Sequence, residues 1–224
     1  MAKHLDLEEQ EQLDQLKHFW AQYGNLITWV LIAVFGSLAA WNGWNYWQRN
    51  QATKASALYD EIDSAAQASD AERMERALAE MKSSFGSTTY ATQAALLAAK
   101  TLHDTGKIDA ARQALSWVVD ASSDKAYQAV ARLRLAGLDV ESNALDQALK
   151  TLEAPVPKAF EPLVADRRGD VLIAQGKTEE AKAQYQAAWR GFSEQAEYRR
   201  LVEIKLAALG VDVSAAAVAA EDGK

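Results

Sequence analysis

The chain has 224 residues, a formal net charge of −7 and a sequence pI near 5.1, without the basic stripe that a nucleic-acid surface requires. It has no cysteine, which excludes structural disulfides, thiolate catalysis and thiolate metal sites and suits a domain facing an oxidising compartment such as the periplasm. Its three prolines, Pro155, Pro157 and Pro162, share one short stretch and alanine is abundant, so the chain reads as nearly all helix.

Residues 1–23 form an acidic N-terminal tail. Leu5, Leu7, Leu13, Leu16 and Phe19 recur loosely at helical intervals, as in an amphipathic helix leading to a membrane. Residues 24–47 follow as a candidate transmembrane helix. From Gly24 to Tyr46 no residue is charged, and about 20 apolar residues cross a hydrocarbon core roughly 30 Å thick. Phe19, Trp20 and Tyr23 precede the apolar run, and Trp41, Trp44, Tyr46 and Trp47 close it. Amphipathic rings at both ends are the aromatic belt of a spanning helix.

The strongest apolar part is Leu26 to Trp41, so the span is short and starts near Tyr23. A buried core helix and a cleaved signal peptide are the alternatives. Ser37-Leu38-Ala39 loosely matches a cleavage site, but Asp6, Glu8, Glu9, Glu11 and Asp14 outnumber Lys3 and Lys17. The positive n-region of a signal peptide is missing, which favours an uncleaved anchor. Within the anchor, Ala33, Gly36, Ser37, Ala40 and Gly43 are small residues at helical spacing, expected on one face with Trp29, Leu31, Phe35 and Leu38 mostly elsewhere. Small residues let membrane helices approach, so this face is a candidate packing seam; the alternative is that such residues are simply common in spans. Flanking charge gives no orientation, because Lys3 and Lys17 balance Arg49 and Lys54.

No helix breaker separates the anchor from Arg49 to Ala66. Ser69-Asp70 then caps a helix from Ala71 to about Lys82, and Gly86 marks a break. Helical pairs follow: Ala94–His103 with Ile108–Val119, Tyr127–Val140 with Leu145–Leu152, and Leu163–Ala174 with Thr178–Phe192. Their turns fall at Gly106, Asn143 and Gly176, spaced by 37 and 33 residues, and glycine and asparagine accept the left-handed conformation most cheaply. Three residues past each turn stands an acid (Asp109, Asp146, Glu179), and five past stands alanine (Ala111, Ala148, Ala181). Counted back 34 residues from Gly106, Glu75 and Ala77 fit the same frame.

A helix-turn-helix unit of about 34 residues is the tetratricopeptide period, here degenerate in its aromatics. The fold expected for residues 48–209 is thus an all-α solenoid of helical hairpins, with an irregular bundle as the alternative. Its concave face is placed on Thr88–His103, Tyr127–Val140 and Leu163–Ala174. Glu194–Leu209 reads as a closing helix with Leu201, Ile204 and Leu209 inward and Arg199, Arg200 and Lys205 outward. Residues 210–224 read as a disordered tail.

Reactive chemistry is not apparent. Gly176-Lys177-Thr178 imitates the end of a phosphate loop, but Val171 stands where that loop needs glycine and no strand precedes it. His4, His18 and His103 are scattered, so neither a metal site nor a cofactor is expected. Asp166 and Asp170, one turn apart beside Arg167 and Arg168, fit a charged helix face better than an acid–base pair. Trp117, Trp189 and Phe192 fall on apolar faces, as core residues do.

The order of these features resembles the YfgM-like family of ancillary SecYEG translocon subunits: an acidic tail, one span ending in Trp44-Asn45-Tyr46-Trp47, then degenerate hairpins. The resemblance is carried further by the runs Ala129–Ala136, Ala148–Leu152 and Val164–Asp170. It implies a non-enzymatic bacterial inner-membrane protein with a cytoplasmic N-terminus and a periplasmic repeat domain. It also implies association with the SecYEG translocon, with a membrane-anchored periplasmic chaperone and with unfolded exported proteins. The alternative is a tetratricopeptide-type scaffold for another cell-envelope complex.

Overall fold

A computed structural model describes residues 7–212, and these residues are helical with short turns. The expected tail therefore lies outside the described residues from position 213 on. Two compact units divide the chain, residues 1–51 and residues 52–224.

Helix α1, Leu7–Gln67, begins in the first unit and ends in the second without a break. In the first unit it is long and apolar enough to cross a membrane, by length and composition. Leu26, Trp29, Val30, Ile32 and Phe35 are all exposed, as the residues of a lipid-facing helix would be. Phe19 and Tyr23 stack with ring centroids 5.1 Å apart at one end, and Trp44 and Trp47 do so at 5.3 Å at the other. The acidic segment before the span is helical from Leu7 and does not wait for Gly24.

The second unit is a run of helical hairpins. Its helices are the last turns of α1, then α2 (Ala71–Phe85), α3 (Thr89–Asp104), α4 (Ile108–Ala121), α5 (Lys125–Glu141), α6 (Leu145–Leu152), α7 (Glu161–Ala174), α8 (Thr178–Gly191) and α9 (Glu197–Ala208). Neighbours in sequence pack on each other from α2 through α9, as stacking hairpins must to cover their apolar stripes. The core begins with Ala55, Ile62 and Ala65 of α1 against Met74, Leu78 and Met81 of α2. It continues through Ala111, Leu115 and Val118 of α4 and ends on Tyr185, Ala188, Val202 and Leu206.

One turn geometry recurs. Gly106, Asn143 and Gly176 have φ of 78°, 59° and 75°, and so do Ser69 at 51° and Gly210 at 78°. In each case the next N–H reaches back five residues to a carbonyl: Asp70 to Ala65, Lys107 to Leu102, Ala144 to Asp139, Lys177 to Leu172 and Val211 to Leu206. This is the Schellman closure of a helix end. After the first four turns the next helix begins two residues on. Ala111, Ala148 and Ala181, five past their turns, are fully buried, where a small side chain lets the two helices approach.

The first hairpin corrects the expected register. Its left-handed residue is Ser69, 37 residues before Gly106, not the position 34 before it. Glu72 and Met74, not Glu75 and Ala77, stand three and five past the turn. Asp70 caps α2 by accepting a hydrogen bond from the Arg73 N–H at 3.0 Å, which fixes the chain direction one residue after the strained serine.

The closing helix is also rotated from its expected face. Val202 and Leu206 are the buried residues, whereas Leu201 and Ile204 are exposed and Lys205 turns inward. The four-residue step from 202 to 206 aligns one stripe against α8, and burial of Lys205 becomes affordable because two aspartates meet it.

Candidate interaction groove

The first helices of successive hairpins, α3, α5 and α7, together with Leu115 of α4, line a groove of about 370 Å³. Ala99, Leu115, Leu133 and Leu138 form its apolar floor, and Lys100, His103, Arg134, Glu141 and Arg167 form its rim. The register explains the rim. Counted back from the left-handed turns, Lys100, Gly137 and Asp170 are equivalent (six residues back), and so are Leu97, Arg134 and Arg167 (nine back). A helix repeats its faces at such steps, so these residues share one side of the stack.

The rim is cross-linked across hairpins. His103 Nε2 lies 2.7 Å from Glu141 Oε2, joining α3 to α5, and Nδ1 lies 3.5 Å from Asp104. The hydrogen bond to Glu141, and secondarily that to Asp104, raises the His103 pKa above its ordinary value. Lys100 donates to Asp104 at 2.5 Å and holds that carboxyl below its ordinary range. Arg134 donates to the Leu96 carbonyl at 2.9 Å and, among the described residues, has no carboxylate within ion-pair distance. That exposed guanidinium keeps donors directed away from the protein.

A second cluster lies behind the rim. Asp166, only 1% exposed, accepts from Lys205 Nζ at 2.8 and 3.0 Å and from the Tyr198 hydroxyl at 2.8 Å. Asp170 accepts from the same lysine at 2.6 Å and from the Tyr185 hydroxyl at 2.8 Å. Burial, then the bond to Asp166, pushes the Tyr198 pKa up to about 12, and burial with Asp170 raises that of Tyr185 as well. The aspartates are therefore ion-paired anchors between α7 and α9, and Asp166 is not on a solvated face. Arg168 donates to the Leu152 carbonyl at 2.7 Å, capping the end of α6. Asp139 is likewise buried, held by Arg112 of α4 and by Thr151 of α6.

Among the described residues no group of three or more histidine, aspartate or glutamate side chains is placed to hold a metal ion. The family described as tetratricopeptide repeat-like domain matches residues 17–211, spanning the apolar helix as well as the hairpins. The Neisseria gonorrhoeae protein named "Ancillary SecYEG translocon subunit" is 32% identical over 93% of this chain and 100% of its own length. The chain belongs to the YfgM-like family. Proteins of the same name from Haemophilus influenzae and Escherichia coli are 28% and 29% identical, over 84% and 80% of this chain and 92% and 86% of their own.

Within this YfgM-like chain, the residues singled out from the sequence fall in two places. Gly106, Asn143 and Gly176 are hairpin turns, far from any reactive group in role: they set the register that aligns the rim. Ala33, Gly36, Ser37, Ala40 and Gly43 lie on the apolar helix of the first unit. A Cβ at Gly36 or Gly43 would meet nothing within 4 Å, and the Ser37 hydroxyl is turned inward to donate to the Ala33 carbonyl at 2.6 Å. At about 100° per residue, Trp29 shares this face one turn before Ala33, contrary to the expectation that it lies elsewhere.

Sequence reasoning missed the rim and the Lys205 anchor. Counting six and nine residues back from each turn places Lys100, Arg134 and Arg167 on one row, together with Leu97, Gly137 and Asp170. Trp117 and Trp189 are packed as expected, each with a cation over its ring: Lys82 at 5.4 Å and Arg199 at 4.0 Å.

Proposed function

We propose that this protein is a non-enzymatic, single-pass inner-membrane subunit associated with the SecYEG translocon, whose hairpin unit lies in the periplasm. In this reading the N-terminus is cytoplasmic. The hairpin unit links the translocon to a membrane-anchored periplasmic chaperone and contacts unfolded exported proteins. The observation that carries it is the full-length match to proteins named as ancillary SecYEG translocon subunits, joined to one apolar helix and a hairpin stack with an open groove. Stacked hairpins present extended surfaces suited to holding another chain, which is the task a linking subunit must perform. Small residues on the apolar helix offer a second contact, within the bilayer.

Affinity purification of the full chain from detergent-solubilised membranes tests the reading. The translocon subunits and a periplasmic chaperone should co-purify in the same fractions. Recovery of a different envelope complex without the translocon would favour the scaffold alternative.

A further inference from the structure

The edge of the stack where α3 and α5 begin holds a second pocket, apart from the groove. It has a volume of about 190 Å³, lies between the α2–α3 and α4–α5 loops, and is rich in hydroxyls. Both loops end in a helix cap. Thr88 accepts from the Ala91 N–H at 3.2 Å, and Asp124 accepts from the Ala126 N–H at 2.7 Å. Two helix N-termini therefore meet here, each with first-turn N–H groups that the helix itself does not use.

Acceptors at this edge are occupied, whereas donors are not. The Phe85 carbonyl at the end of α2 accepts from both the N–H and the hydroxyl of Thr88. The Ser122 carbonyl after α4 accepts from Gln128 Nε2 at 2.6 Å. Tyr127 receives a bond from Gln93 at 2.8 Å, which leaves its own O–H to donate. Thr92 is the decisive residue. It is 5% exposed, it lines the pocket, and its hydroxyl has no hydrogen-bond partner among the described residues. A buried hydroxyl without a partner is unfavourable, and the pocket is where this one can find it.

The next hairpin shows what closes such a site. Thr88 and Asp124 are equivalent caps, so Thr92 corresponds to Gln128, four residues past the cap. Gln128 is also buried, but its amide reaches back to the Ser122 carbonyl and accepts from Lys125 at 3.2 Å. Threonine is too short to span its own loop. Lys82 adds a cation nearby: it stands one turn before the lining residue Gly86, half-buried and 5.4 Å from the Trp117 ring centroid. Among the described residues it has no carboxylate within ion-pair distance.

We propose that this pocket binds inorganic phosphate as the monohydrogen dianion. Donors from two helix N-termini, Thr92 and Tyr127 suit an oxyanion. The Asp124 carboxylate in the same lining decides which one. Its Oδ1 is held by the Ala126 N–H, and a bare anion beside the other oxygen would be repelled. Monohydrogen phosphate carries a proton at neutral pH and donates it to that oxygen, so repulsion gives way to a hydrogen bond. Sulfate has no proton to give, and a phosphate monoester has lost its second above about pH 6. The inference goes beyond the translocon reading and does not depend on it.

The test uses the full chain in detergent, titrated calorimetrically at fixed ionic strength with phosphate, sulfate and glycerol phosphate. The pH is held at about 7.5, above the second ionisation of a monoester. Phosphate should bind and the other two should not. Thr92→Val keeps the side-chain shape and removes the hydroxyl, so it should weaken phosphate binding roughly tenfold. Asp124→Asn keeps the helix cap and removes the carboxylate, so it should gain sulfate binding, which no misfolded chain would do. Phosphate should also raise the melting temperature of the parent more than sulfate does, because the two salts share their general effect on folding and differ at the site. Four results overturn the inference: no phosphate binding, equal binding of phosphate with sulfate or glycerol phosphate, unchanged phosphate affinity in Thr92→Val, or an Asp124→Asn chain that still rejects sulfate.

Discussion

Lys205 of α9 reaches into the stack and places its ammonium 2.8 Å from Oδ1 of Asp166, a carboxylate almost without solvent. An anion buried in protein is tolerated only where a cation and hydrogen-bond donors replace water. Removing the cation leaves Asp166 with the Tyr198 hydroxyl alone. Lys205→Ala should therefore cost about 3 kcal/mol, measured by denaturant unfolding of the full chain. The double variant with Asp166→Ala should cost less than the sum of the singles, because the aspartate is a liability only once its partner is gone. Additive losses would show that the pair is not coupled.

The recurring left-handed turns make a second expectation. Gly106→Val and Gly176→Val put a β-branched side chain at φ near 75–78°, at a cost of about 1 kcal/mol or more. Asn143→Gly should be neutral or mildly stabilising. Ser69→Gly should stabilise by up to about 1 kcal/mol, since serine sits at φ 51° without asparagine's tolerance for it. Thermal melts of these variants rank them. A Ser69→Gly variant less stable than the parent would mean the serine side chain contributes more than its backbone costs.

How far this stack was legible depends on how each residue announces its conformation. Gly106, Asn143 and Gly176 are residue types that favour a left-handed turn, and the acids and alanines after them gave the period. Ser69 is not such a type. Its conformation follows from the Asp70 cap and the burial of Ile62 and Met74 in one core, which only the assembled hairpin contains. The rotation of α9 was hidden for a related reason. Leu201 and Ile204 look like core by hydrophobicity, and Lys205 looks like surface, until the carboxylates of α7 are brought opposite the lysine. The apolar span was plain from composition, whereas the charged rim arises from residues some 33 to 37 positions apart and is visible only in the correct register.

His103 supplies a pH dependence. Its partners Glu141 and Asp104 raise its pKa in the folded chain, so the protonated ring favours folding. That contribution is complete below the ordinary histidine value near 6.5 and is lost as pH rises through the raised folded value. The pair is exposed to solvent, so the loss should be less than about 1 kcal/mol. Melting temperatures of the parent and of His103→Gln, compared from about pH 6 to pH 9, should converge as pH rises. A gap that stays constant would assign the residue a packing role instead.

Orientation follows from the proposed function and not from flanking charge. Protease added to spheroplasts should digest the hairpin unit, beginning after Arg49, while the acidic tail survives. Protection of the hairpins until the inner membrane is lysed would reverse the assignment.

The last expectation concerns the apolar helix of the first unit. Ala33, Gly36, Ser37, Ala40 and Gly43 occupy one side of it, with open space where a Cβ would stand on Gly36 and Gly43. Lipid tails are as apolar as leucine, so a membrane helix finds partners where its backbone is approachable, not where it is greasiest. If this side is a docking seam for the translocon or the chaperone, Gly36→Leu with Ala40→Leu should keep insertion and lose co-purification. Replacing Leu31 and Leu38 by alanine, on the opposite side, should leave it intact. Trp29 shares the seam side, so Trp29→Ala should either weaken the contact, if the indole packs on the partner, or strengthen it, if the ring holds the partner off. Should the double leucine variant co-purify as well as the parent, docking must come from the hairpins. Arg134→Glu would then be the variant that loses the partner.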